Sequence, residues 1–83
     1  MINKKNLAEI VGWYGMTAIL AAYILVSSKT IPANGYAYQL LNLTGAIGIL
    51  TISLAKKVKQ SVALNVIWAF VALAAIVSLA FQN

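Results

Sequence analysis

The chain has 83 residues, 63% of them hydrophobic, with six lysines, one acid and neither histidine nor cysteine. So short a chain with so few polar residues cannot clothe an apolar core in water, which excludes a soluble domain and places it in the membrane class. The missing cysteines exclude a disulfide framework and thiolate chemistry, and a lone carboxylate leaves no acid–base pair for catalysis.

The first apolar run, about Ile10 to Ser28, follows Lys4 and Lys5. Its length and its aromatic residues argue against a cleaved signal peptide. Asn6 with Glu9 three positions on reads as a helix N-cap, which gives the one acid a structural role. Gly12, Met16, Ile19, Tyr23 and Ser27 share one side of this helix, and Gly12 with Gly15 permits close backbone approach. Trp13 falls near the membrane boundary, where its amphipathic ring suits an interfacial anchor.

The segment KTIPANGY, with Pro32 and the Asn34-Gly35 pair, supplies turn chemistry. A second span runs from about Tyr38 to Ala55. Gln39, Asn42, Ala46, Ile49 and Ser53 line one side of it, and Gly45 and Gly48 offer a second packing surface. Tyr36, Tyr38 and, at the far end of the chain, Phe81 sit at the opposite boundary from Trp13. The short polar link KKVKQ then leads into a third span, about Ser61 to Phe81, on which Ser61, Asn65, Trp68, Ala72 and Leu79 share a side.

Each span has the roughly 20 residues needed to cross about 30 Å of hydrocarbon, so the sequence predicts an all-α, integral membrane three-helix bundle forming one domain over residues 1–83. Five lysines (Lys4, Lys5, Lys56, Lys57 and Lys59) lie on the face that holds the N-terminus, and only Lys29 lies opposite. The lysine bias predicts a cytoplasmic N-terminus and an external C-terminus. These lysines border apolar spans without arginine or a basic-aromatic stripe. Anionic lipid headgroups are therefore the expected partners, and nucleic acid is not.

Asn42 and Asn65 are the most costly side chains to leave in lipid without partners. Counting 1.5 Å per residue from mid-span puts Asn42 near the depth of Tyr23, and Asn65 near that of Ser53 and Trp13, in two layers on the order of 15 Å apart. Amides, hydroxyls and an aromatic face suit an uncharged polar solute. A substrate path would be lined by Tyr23, Asn42, Asn65 and Trp68, with Gly12, Gly15, Gly45 and Gly48 serving helix packing. No cofactor, metal ligand set or catalytic residue is expected. One three-helix unit encloses no path, so transport requires at least a homodimer. The alternative is a non-transporting assembly or accessory subunit of a larger membrane complex.

Three short spans, a basic link and the asparagine of GAIGILTISLAKKVKQSVALN resemble the bacterial half-transporters of the SemiSWEET type, in the PQ-loop (MtN3) group. That resemblance implies a SemiSWEET-like fold, a homodimer around a sugar path and a substrate-contacting role for Asn65. Tyr23 to Leu25 stands where that group has its Pro-Gln pair, and Ile49 where it has a tryptophan. The pattern GWYG…AAY…YQLLN…G…SVALNVIW, from Gly12 to Trp68, also resembles a set of small bacterial three-span proteins. Together these imply a multi-pass protein of the bacterial cytoplasmic (inner) membrane.

Overall fold

The protein is described by a computed structural model over residues 3–82. Three helices follow one another: α1 (Lys4–Ser27), α2 (Tyr36–Lys56) and α3 (Lys59–Phe81). Each is long and apolar enough to cross a membrane, the arrangement of a multi-pass membrane protein. The long axis of the molecule is 43 Å, which matches the roughly 40–45 Å of a bilayer with its headgroup regions.

Both ends of α1 and α2 depart from the expected boundaries for physical reasons. Asn3, not Asn6, caps α1: its side-chain oxygen accepts the backbone N–H of Asn6 at 2.8 Å. The helix therefore starts at Lys4, one turn and more before the apolar run. At the other end Lys29 takes a left-handed φ of 63°, with its N–H bonded to the carbonyl of Val26 and that of Thr30 to Leu25. Lys57 repeats the motif after α2 at φ 59°, with the N–H groups of Lys57 and Val58 bonded to the carbonyls of Leu54 and Ser53. These are Schellman closures, in which glycine is the usual left-handed residue. Here a lysine occupies the position in both. Gly35 needs no left-handed backbone; it is the N-cap of α2 at φ −99° and closes a turn on the carbonyl of Pro32.

α2 lies between the other two helices, and the backbones of α1 and α3 do not approach each other among the described residues. The chain is thus two antiparallel helix pairs that share α2, rather than a closed bundle. The buried non-polar residues are small: Ala8, Gly12, Gly15, Ala18 and Ala22 on α1, Gly45, Ala46 and Gly48 on α2, and Ala72 on α3. Large apolar side chains such as Leu20, Ile24, Ile67 and Phe70 point outward. This inverts the order of a soluble domain and suits helices in lipid, where association relies on close backbone packing and polar contacts.

The α1 stripe differs from the expected one. Gly12 is on the packed face, but Met16 and Tyr23 are exposed, and the face is completed by Ala8, Gly15, Ala18 and Ala22. At the crossing with α2, a Cβ added to Gly15 would lie 2.5 Å from the Gly45 carbonyl oxygen and 2.7 Å from the Ile49 nitrogen. One added to Gly48 would lie 2.6 Å from the Val11 carbonyl oxygen. Only glycine allows this approach.

Candidate functional site

The polar side chains within the spans gather mainly on the side of α2 that faces α3. Toward the end of the molecule that carries Lys29, Asn42 is buried, at 4% exposure. Its Nδ2 donates to the carbonyl of Tyr38 one turn earlier at 2.8 Å, and its Oδ1 accepts the indole N–H of Trp68 at 3.0 Å. The amide is thereby used on both sides, and Trp68 ties α3 to α2 while the residue as a whole stays 39% exposed.

A second group lies toward the lysine-rich end. Ser53 on α2 and Ser61 on α3 share a hydrogen bond of 2.6 Å, and Asn65 Nδ2 donates to the Ser61 carbonyl at 2.9 Å and to Ser61 Oγ at 3.3 Å. Ser53 and Asn65 are both buried. The two-residue link of Lys57 and Val58 brings the helix ends together, and the Ser53–Ser61 bond fastens the pair just beyond it. No buried side-chain nitrogen or oxygen among the described residues lacks a hydrogen-bond partner. For groups placed in hydrocarbon that satisfaction removes a penalty of several kcal/mol each.

The layers differ in membership from the sequence reading. Trp68, not Tyr23, is the partner of Asn42; Tyr23 is 68% exposed on the outside of α1. Ser53 and Asn65 do share a layer, joined by Ser61, whereas Trp13 stands apart at 64% exposure. The backbones of α1 and α3 stay apart, and no α1 side chain is hydrogen-bonded to the seam residues Asn42, Ser53, Ser61, Asn65 or Trp68. Of the four candidate path residues, the structure brings together Asn42 and Trp68, with Asn65 in the second layer further along the same seam and Tyr23 outside it.

One contact was not anticipated. Tyr14 OH and Thr44 Oγ1 lie 2.8 Å apart across the α1–α2 crossing, and Thr44 also donates to the Leu40 carbonyl. Thr17 and Thr51 donate to carbonyls one turn back in their own helices. The sequence signal for the Tyr14–Thr44 bond is only that two polar groups lie within apolar spans, with no spacing that pairs them.

Charge sits at the ends. Glu9 is not part of a cap: its Oε2 lies 3.0 Å from Lys56 Nζ, joining the first turns of α1 to the last turn of α2. The ion pair is largely solvent-exposed, so its energetic weight is small. Among the described residues no group of three or more His, Cys, Asp or Glu side chains is placed to hold a metal ion. The grooves between helices are apolar, one of them lined by Leu43, Ile47, Leu50, Phe70 and Leu73.

A protein-family model matches residues 8–83. The chain belongs to that family, whose function is unknown. No curated protein and no solved structure matches the chain.

Proposed function

We propose that this member of a family of unknown function is a non-transporting structural subunit, which packs against a larger membrane protein or a second copy of itself. The disposition of the polar side chains carries the reading. Asn42 and Asn65 donate within the α2–α3 seam, Asn42 also accepts from Trp68, and Ser53 is bonded to Ser61. The groups that would have to hold a neutral solute are already engaged: Asn42 with Trp68 and Ser53 with Ser61 join the two helices, as amides and hydroxyls commonly do in membrane proteins, and Asn65 bonds Ser61 of its own helix. The exposed apolar side chains then face lipid or a neighbouring helix. A cytoplasmic N-terminus in a bacterial inner membrane is the placement favoured by five lysines at one end against one at the other.

The competing reading is a SemiSWEET-like homodimer conducting an uncharged polar solute along Asn42, Asn65 and Trp68. Two copies would have to open the α2–α3 seam or expose its amides to a shared path. The two readings separate in liposomes. Purified protein is reconstituted, and entry of a small polyol and of glucose is followed for the wild type and for Asn65→Leu. The expected result is background entry for both, with helical content retained. Saturable entry in the wild type that disappears in Asn65→Leu overturns the structural reading in favour of the facilitator.

A further inference from the structure

Two concavities at the lysine-rich end share residues. One, of about 430 Å³, is lined by Lys4, Lys5, Glu9, Ile52, Ala55 and Lys56. The other is a groove between α1 and α2 lined by Glu9, Gly12, Trp13, Met16, Ile49 and Ile52. Glu9 and Ile52 line both, so a charged mouth continues into an apolar groove along the helices. From Glu9 to Met16 the groove descends about 10 Å at 1.5 Å per residue, most of one leaflet of a roughly 30 Å core. Gly12 lets Ile52 pack down onto α1 at the floor of the groove, since a Cβ there would lie 2.7 Å from Ile52 Cγ2.

The charges at the mouth do not cancel. Glu9, the one acid of the chain, is engaged by Lys56. Lys4 and Lys5 have no carboxylate partner among the described residues. They also occupy the first turn of α1, where the helix dipole adds a partial positive charge. The mouth therefore offers net positive charge, and the groove below it offers only apolar contact and the exposed indole of Trp13.

We propose that this composite is a binding site for one anionic phospholipid, with the phosphodiester at Lys4 and Lys5 and an acyl chain in the groove over Gly12, Met16 and Ile49. It differs from general attraction of lysines to a charged surface, which would act equally at Lys57 and Lys59. Those two line a separate hollow with Leu54, Val62 and Ala63, none of which lines the α1–α2 groove. A soluble anion such as free phosphate would use the mouth but gain nothing from the groove.

The test is native mass spectrometry of the full chain in mild detergent, titrated with dioleoyl phosphatidylglycerol. Phosphatidylcholine, phosphatidylethanolamine and glycerol 3-phosphate serve as comparison ligands. The wild type is expected to retain a single phosphatidylglycerol in preference to all three. Lys4→Gln with Lys5→Gln should weaken retention on the order of tenfold, and Lys57→Gln with Lys59→Gln less than about twofold, for the same change in charge. Met16→Trp, which fills the exposed side of the groove, should weaken lipid retention while leaving the mouth intact. Equal losses in the two lysine pairs overturn the site in favour of surface electrostatics. Retention of phosphatidylethanolamine or glycerol 3-phosphate as strong as that of phosphatidylglycerol, or no effect of Met16→Trp, overturns it as well.

Discussion

Replacing Gly15 by alanine tests the α1–α2 crossing directly. The added Cβ would stand 2.5 Å from the Gly45 carbonyl oxygen, 2.7 Å from the Ile49 nitrogen and 3.0 Å from the Gly48 carbonyl carbon, all of them backbone atoms. Because no side chain can rotate away, the helices must part. Reaching the 3.4 Å of ordinary contact with Gly45 requires a shift of about 0.9 Å. A gap of that size forfeits roughly a quarter to a half of the dispersion energy of the contacts it opens. Overpacking of this kind costs about 1–3 kcal/mol, and the better helix propensity of alanine returns up to about 1 kcal/mol. A net loss of about 1–2 kcal/mol follows. Gly12→Ala meets only the Ile52 side chain, at 2.7 Å from its Cγ2, and should cost less. Gly35→Ala lies outside the helix crossing and serves as the control. The assay is reversible unfolding in mixed micelles, titrated with denaturing detergent and followed by circular dichroism. A Gly15→Ala protein as stable as the wild type would refute the crossing described above.

Three further outcomes are expected. A double-mutant cycle on Trp68→Phe and Asn42→Leu should return a coupling of about 0.6 kcal/mol, and no more than roughly 1.7 kcal/mol, in the same unfolding assay. Zero coupling would show that the indole–amide bond does not hold α3 to α2. Lys57→Gly should stabilise the protein by about 1 kcal/mol, because glycine adopts the left-handed backbone without the steric cost that lysine bears; destabilisation would contradict the Schellman closure. Glu9→Gln should cost less than about 1 kcal/mol, and raising the salt concentration should shrink the difference from wild type, since the pair with Lys56 is exposed.

The three helices were legible because an apolar run of membrane length has few other solutions. Their inner faces were less so. In water, polarity tells the inside of a helix from the outside; in lipid, both sides of α1 are apolar, and Met16 and Tyr23 are as acceptable outside as in. The packed face followed size instead, through Ala8, Gly15, Ala18 and Ala22. The α2 and α3 faces were read more closely, since Asn42, Ser53 and Asn65 carry a strong penalty outside the protein. Trp68 as the partner of Asn42 was not legible. It depends on α3 being the helix beside α2 at that depth, a matter of tertiary arrangement. The left-handed lysines gave no signal either, because closures of this kind are recognised in sequence by glycine.

Placing α2 between two helices whose backbones stay apart makes the molecule thermodynamically divisible. One seam is held by backbone approach at Gly15, Gly45 and Gly48, the other by Asn42–Trp68 and Ser53–Ser61. Energies of changes far apart on the two seams, such as Gly15 and Ser61, should then add within about 0.3–0.5 kcal/mol, whereas Asn42 and Gly45, one turn apart on α2, are close enough to couple. Loss of the first seam frees α1 alone and leaves the α2–α3 hairpin closed, so the chain can come apart in two steps where a mutually packed trio would come apart in one.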